Sequence, residues 1–356
     1  AFCTAATSEG RRMNNIESTV VSTRIRLARN LADYPFPNRL QSVKQAKEIV
    51  RIVAGAASRL RAFKLYYMDE ITESVAMSLK DDHLISAELA ANKKYGAALI
   101  DEGDFEEIGE DRADKISIMI NEEDHLREQY IARGLTLNTA YLKLSEIDDS
   151  LSKSIRFAYD AKLGYLTACP TNLGTGLRAS VMLFLPGLTR MNKMSKLIRE
   201  ISRLGHTVRG VFGEGSAAEG YMYQISNEVT LGVTEDYILS EVQKAVLEIV
   251  GLEAQARRSL VEEDYVGVKD CCRRAYGILT NCEKISYGEF IKLISDVKLG
   301  AALGFVQVSD ASVIDDLIEA LRPSNISLLR DGEPSAAERD ILRAERCRAV
   351  LGENAK

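Results

Sequence analysis

The chain has 356 residues, 46% of them hydrophobic and 28% charged, with a formal net charge of −6. That length fills one large domain or two ordinary ones, and the hydrophobic fraction supplies a sizeable core. The mixed, slightly acidic charge excludes a global nucleic-acid footprint, and no apolar run is long enough to span a bilayer.

No apolar stretch follows Arg11 and Arg12, so no signal peptide is read at the start. Cysteines at 3, 169, 271, 272, 282 and 347 form no CxxC pair, which fits free thiols in a reducing cytoplasm. Residues 1–18 form a polar leader. Residues 20–27 alternate as a strand does, and Ser42 is placed to cap a helix running to about residue 62. Short strands are predicted over 64–68, 97–100 and 116–120, and a helix over 137–159. Residues 165–168 read as a strand stopped by Pro170, and 191–204 as a helix ending at Gly205. Strands over 208–212 and 221–225 flank a glycine-rich loop. One long helix is predicted over 235–263, almost everything beyond it reads as helical, and the turn over 330–335 starts the last helix. Mixed strands and helices followed by helices alone predict two domains, 19–255 and 256–356.

Several stretches carry residues suited to chemistry. In Ser22-Thr23-Arg24-Ile25-Arg26 a strand points both arginines to one face. Side by side they repel, so they are either a solvated basic face or a clamp for phosphate oxygens. Asn121-Glu122-Glu123-Asp124-His125-Leu126-Arg127 is either a surface turn or a general base with a nearby arginine. If strand geometry continues through it, Glu123, His125 and Arg127 share a face. In Cys169-Pro170-Thr171-Asn172-Leu173-Gly174-Thr175-Gly176-Leu177-Arg178 the proline ends a strand and the glycines free backbone amides for a ligand. Cys169 is either an inert thiol or a thiolate held by a cation such as Arg178. The fit of 174–179 to GxGxxA is discounted, because no strand–turn–helix with a distant acid accompanies it. Arg209 precedes a loop bearing Glu214, and His83 follows two acids. No P-loop lysine motif and no protein-kinase motif is present.

Taken together, residues 121–127 and 169–178 resemble the two most specific signatures of the phosphagen (guanidino) kinase family, and 22–26 resembles its phosphate-binding strand. The resemblance covers about residues 19–255. It implies an α+β fold, an antiparallel sheet flanked by helices, followed by an all-α C-terminal domain. It implies that Ser22, Arg24, Arg26, His83, Arg127, Arg178 and Arg209 bind ATP, with Mg2+ carried by the nucleotide and no direct protein ligand. Glu123 is the implied base, Glu214 the second carboxylate on the acceptor, and Cys169 a further contact to it.

Within the family the chain is most similar to the bacterial branch that phosphorylates arginines in proteins. The short leader, the loop Gly213-Glu214-Gly215-Ser216, the helical C-terminal segment and the tail Glu338-Arg339-Asp340-Ile341-Leu342-Arg343-Ala344 carry that similarity. It implies a phosphoarginine site at Arg339 and Asp340, and a role in stress response and in marking proteins for degradation. The implied partners are unfolded proteins, the repressor CtsR, the activator McsA, the ClpC–ClpP protease and a second copy of the chain. The alternatives are a kinase of free arginine or another small guanidino compound, and a non-catalytic phosphoarginine-binding adaptor. Two departures stand out: the leader lacks the usual tryptophan, and Thr23 stands where serine is common.

Overall fold

The computed structural model describes residues 14–101, 114–210, 219–308, 311–328 and 334–353. The chain opens with strand β1 (Val20–Arg29), helix α1 (Val43–Ala57), β2 (Phe63–Tyr67) and two short helices, α2 (Glu73–Asp81) and α3 (Ala87–Ala91). Then come β3 (Ala97–Asp101), β4 (Lys115–Ile120), β5 (Leu126–Arg133) and α4 (Leu137–Ser152). A two-stranded ribbon, β6 (Tyr159–Asp160) and β7 (Gly164–Tyr165), leads to β8 (Leu177–Phe184), α5 (Pro186–Arg190), α6 (Met194–Arg203), β9 (His206–Gly210) and β10 (Met222–Asn227). The rest is helical: α7 (Glu235–Glu263), α8 (Tyr265–Leu279), α9 (Tyr287–Leu303), α10 (Ala311–Ala320), α11 (Pro323–Ser327) and α12 (Ala336–Glu353). The expected α+β class holds: an antiparallel sheet with flanking helices, then helices alone.

Eight strands form one antiparallel sheet in the order β2-β3-β4-β5-β1-β8-β10-β9. One face carries Ile25, Leu27, Tyr130, Ala179, Val181 and Ile225, and α1, α4, α6 and α7 cover it to make the main core. In β1 and β10 these residues alternate with polar ones, so burying this face turns the other face outward. At the β2–β4 side the second face is closed by a small cluster of Met68, Leu84, Leu89, Ile100 and Met119. Across β5, β1, β8 and β9 that face carries arginines. A separate core forms among α8–α12 around Cys272, Phe290, Ile294, Leu317 and Cys347, and Phe184 of β8 packs into it. Helix α7 runs without a break through residue 256.

Several bounds differ from the sequence expectation. Helix α1 is capped by Ser42 Oγ, which accepts from Gln45 N, as expected, but stops at Ala57 rather than near 62. Helix α4 stops at Ser152 rather than 159, because the chain beyond it pairs with the end of β1: Leu31 bridges Phe157, and Ala158 N donates to Asn30 O. The strand expected over 165–168 is the two-residue β7, and the helix expected from 191 starts at Met194. Strands β5 and β8 and helices α2 and α3 were not expected. The start of α12 is a capping box, with Ser335 N donating to Glu338 Oε2 and Glu338 N donating to Ser335 Oγ. Positions 211 and 212 of the strand expected over 208–212, and most of the turn expected over 330–335, lie outside the described residues.

Candidate functional site

Strand register builds the site. Arg26 of β1 stands opposite Arg178 of β8 on one side and Gln129 of β5 on the other. Arg24, two residues back, stands opposite Ser180. Arg127 lies two residues from Gln129 on β5. Arg209 of β9 stands opposite Gln224 of β10, two residues from Ser226, the partner of Ser180. Alternation then places all five arginines on one face of the sheet, and Ser22 shares it.

Few protein groups compensate this charge. Arg24 donates to Gln224 Oε1 at 3.1 Å, and Arg178 to Ser226 Oγ at 3.1 Å, both neutral partners. Arg127 pairs with Glu122 at 2.9 Å. The Nε atoms of Arg26, Arg127 and Arg178 are buried without a hydrogen-bond partner. Burial, reinforced by Arg127 and Arg178, pushes Arg24 down to about 10. Arg26 is driven well below its ordinary value by burial and then by Arg24, Arg127 and Arg178, against the weaker pull of Glu122. Arg178 is lowered by burial and by Arg209 and Arg127. A cationic face whose guanidiniums are destabilised by one another, with donors left over, is complementary to a polyanion.

At one end of this face, β4 and β5 form a hairpin whose last pair is Ile120 with Leu126. The residues between are a turn, not a continued strand, so Glu123, His125 and Arg127 are not aligned by strand alternation as expected. Asn121 adopts φ 59°, a left-handed conformation that Asn tolerates. Its Nδ2 donates to Ala46 O at 3.1 Å and Tyr95 O at 3.2 Å. Asp124 Oδ1 accepts from Asn30 Nδ2 and from Ala168 N, both at 2.6 Å. His125 Nδ1 accepts from Leu31 N at 3.1 Å, so the proton sits on Nε2, which donates to Pro35 O at 3.0 Å. Glu122 is held by Arg127 and by Ser86 Oγ. Of this acidic run only Glu123 remains exposed.

Glu123 borders a cavity of about 370 Å³ lined also by Glu122, Asn38, Leu40, Asn92 and Tyr95. Its carboxyl is raised above the usual range by burial and by Asp124, while a hydrogen bond with Cys169 works the other way. Cys169 therefore lies beside Glu123, with its Sγ 3.0 Å from Thr171 Oγ1, and close to Arg178 of the arginine face. The glycines after it are required by close backbone packing, and the amide of Gly174 donates to Tyr165 O. A Cβ on Gly174 would lie 2.4 Å from Thr230 O, and one on Gly176 2.7 Å from Ala28 O.

At the opposite end stands His83, in a left-handed conformation (φ 60°) just after α2. Its carbonyl accepts from Gln129 Nε2 at 2.6 Å. Burial, then Arg24 and Arg322, hold its imidazole well below the ordinary value, so it is neutral. The structure thus brings together Ser22, Arg24, Arg26, His83, Glu123, Arg127, Cys169, Arg178 and Arg209. Glu214 lies outside the described residues. Arg339 and Asp340 sit on α12 among the C-terminal helices. There Arg339 Nη1 donates to Pro334 O at 3.2 Å, and Asp340 is engaged by Arg343 at 2.7 Å. Sequence reasoning missed Gln129, which the parity of Arg127 would have found, and Arg322, for which no local pattern exists. Among the described residues, no group of three or more His, Cys, Asp or Glu is arranged to hold a metal ion, and no helix is long and apolar enough to cross a membrane.

Comparison with known proteins agrees with this geometry. Residues 44–256 match the family ATP:guanido phosphotransferase, C-terminal catalytic domain, and residues 266–356 match the protein-arginine kinase McsB C-terminal domain. The chain is 43% identical to the protein-arginine kinase of Halothermothrix orenii over 92% of this chain and 91% of that one. It is 39% identical to that of Geobacillus stearothermophilus over 93% and 90%. Among solved structures it resembles the duplicated taurocyamine kinase of Schistosoma mansoni (TM-score 0.58, 26% identity), covering 67% of this chain and 33% of that longer one. It also resembles a lombricine kinase (TM-score 0.53, 25% identity), covering 69% and 68%. The chain belongs to the ATP:guanido phosphotransferase family, in its protein-arginine kinase branch.

Proposed function

We propose that this protein transfers the γ-phosphate of ATP to the guanidino group of arginine residues in proteins. The observation that carries this reading is a face of five arginines ending beside Glu123 and Cys169. Phosphoryl transfer asks mainly for in-line positioning and charge stabilisation, which Arg24, Arg26, Arg127, Arg178 and Arg209 supply to a triphosphate. That is why no P-loop is needed. Mg2+ enters with the nucleotide, where it shields the phosphates.

The acceptor poses a separate problem. A guanidinium has a pKa above ~12, so its nitrogen lone pair is withheld at neutral pH. Glu123 is the base: as the N–P bond forms and the bond to the leaving ADP oxygen breaks, the guanidino proton passes to its carboxylate. The raised proton affinity of Glu123 suits that task. Cys169 lines the same spot, and Glu214 supplies the second carboxylate. The cavity of about 370 Å³ lined by Glu123, Asn92 and Tyr95 is large enough for an arginine side chain.

Arg339 and Asp340 form a second, regulatory site for phosphoarginine, arginine to phosphate and aspartate to guanidinium. Stimulation of the kinase by free phosphoarginine, lost in Asp340→Ala, is the expected result. The catalytic unit spans 19–255 and the helical unit 256–356. The wider role we propose is cytoplasmic: a homodimer that marks unfolded proteins for ClpC–ClpP, inactivates CtsR under stress and answers to McsA. The names of the curated relatives support the protein acceptor. Incubation with Mg-ATP and either an unfolded protein or free arginine, followed by mass spectrometry for acid-labile phosphoarginine, decides it. Label on protein is expected. Label on free arginine alone indicates a small-molecule kinase, and no label at all an adaptor.

A further inference from the structure

One cation at the site comes from outside the catalytic sheet. Arg322 lies between α10 and α11 in the helical region, and its Nη2 sits 3.5 Å from His83 Nε2. Its charge acts on His83, Glu219 and Asp82. The segment carrying it is fastened to the catalytic sheet on several sides. Asn325 accepts from Ser78 Oγ at 2.8 Å and donates to Asp82 Oδ1 at 2.7 Å, clamping α11 to α2. Lys115 at the start of β4 pairs with Glu319, and Arg133 at the end of β5 pairs with Asp316.

This docking drives a positive charge toward a face that is already positive. Arg322 opposes protonation of His83 alongside Arg24 and Lys115. Glu219 and Asp82 both face this charge, and the guanidinium is held beside the His83 ring, where an electron-rich base or a ribose can pack on it. Position along the strand says which part of a nucleotide that is. Arg127 stands opposite Ala28, next to the hairpin that presents Glu123. Arg24 lies four residues back along β1, about 13 Å away, on the His83 side. With the γ-phosphate at Glu123, the ribose and base fall at the Arg24, His83 and Arg322 end.

We propose that Arg322, carried by the helical domain, is a nucleotide-positioning residue that packs its guanidinium on the base–ribose end of ATP and so makes the ATP site a joint product of both domains. This rests on the arginine face being the ATP site. Arg322 contacts the nucleotide together with His83, whose carbonyl is tied through Gln129 to the centre of the face. The rival view is that Arg322 is only a counter-ion for Glu219 that stabilises the domain contact.

The test compares the full-length wild type with Arg322→Ala and Arg322→Gln. ATP binding is measured by calorimetry, competition by inorganic tripolyphosphate is measured separately, and KM is determined for ATP and for an unfolded protein acceptor. Expected are a rise of about tenfold in Kd and KM for ATP, a change under about twofold in KM for the acceptor, and tripolyphosphate binding within about twofold of wild type. Melting temperatures verify folding, and if the alanine variant does not fold the glutamine variant carries the measurement. Unchanged ATP binding in a folded variant overturns the proposal. Equal weakening of ATP and tripolyphosphate overturns it too, because Arg322 would then act on the whole field rather than on the base–ribose end. If the wild type binds ATP in an Arg322-dependent way yet phosphorylates no arginine, the proposed function fails and the positioning role stands. If the wild type binds no ATP, both fall.

Discussion

Glu123 and Arg26 bear opposite burdens. Glu123 is the one carboxylate of its run left open, and burial together with Asp124 raises its proton affinity. A raised carboxyl is a better base once ionised, but it ionises later, so the acid limb of the rate profile should lie above the range of an ordinary carboxylate. Glu123→Gln keeps the shape and removes the base. Turnover should fall by about 10²–10⁴ while ATP affinity stays within about twofold. Near-normal turnover by single-turnover kinetics would remove Glu123 from the mechanism. Arg26 is the reverse case, a group the folded protein holds at a disadvantage. Arg24, Arg127 and Arg178 all act against its charge, and its Nε has no partner. Arg26→Met should therefore raise the melting temperature of the nucleotide-free protein, by about 2–4 °C, while ATP binding is lost. A lower melting temperature would mean that the face is not strained without its anion.

The β4–β5 hairpin shows how an element aims one residue by immobilising its neighbours. The side chains of Asn121 and His125 bond the backbone of other segments, that of Asp124 bonds Asn30 and the amide of Ala168, and the turn they fix leaves Glu123 exposed. His125 is held neutral, pushed down to about 4 mainly by burial. Protonation would put a second hydrogen on Nδ1, facing the amide of Leu31. The unfolded chain binds this proton near pH 6.5 and the folded one near 4, so the contribution is complete above 6.5 and is lost as pH falls toward 4. Over that window about 3 kcal/mol is at stake. His125→Gln should be less stable at neutral pH and should lose less stability between pH 6.5 and 4 in urea titrations. Equal slopes for wild type and variant would show that His125 does not titrate with unfolding.

Elements also explain what the sequence could and could not convey. β1 was legible because Ile25 and Leu27 alternate with Arg24 and Arg26, and α7 because it is one long helical run. β5 was hidden because its inward face carries Glu128. That carboxyl is fully buried and pushed well up by burial and by Asp148, in a network with Arg29. A buried acid breaks the pattern on which strand recognition depends. β8 was hidden behind its own glycine-rich approach, so the opposition of Arg26 and Arg178 could not be read. Residues 121–127 announced chemistry, but which acid was free depended on Asn30, Ala46 and Ser86, far away in the chain. Arg322 had no signal at all, because its meaning comes only from the docking of two regions.

For the whole molecule, the question is how the helical region and the sheet act as one body. Arg343 is almost wholly buried and joins Asp340, Ile285 O and Leu321 O, so α12, the approach to α9 and the residue before Arg322 share one side chain. Beyond Arg322, Asn325 links the same segment to Ser78 and Asp82 beside His83. Asn325 hydrogen-bonds Ser78, Asp82 and the carbonyl of Glu319, not the five arginines. If it matters only for holding α11 on α2, Asn325→Ala should lower stability by about 1–2 kcal/mol and leave ATP affinity alone. If it sets Arg322 against the nucleotide, it should weaken ATP binding about three- to fivefold by a route that Arg322→Ala already removes. A double-mutant cycle then separates the two. The Asn325 effect on ATP affinity should largely vanish in the Arg322→Ala background, giving a coupling of about 0.5–1 kcal/mol. Additive effects would mean that α11 docks for stability alone and that Arg322 finds its place without it.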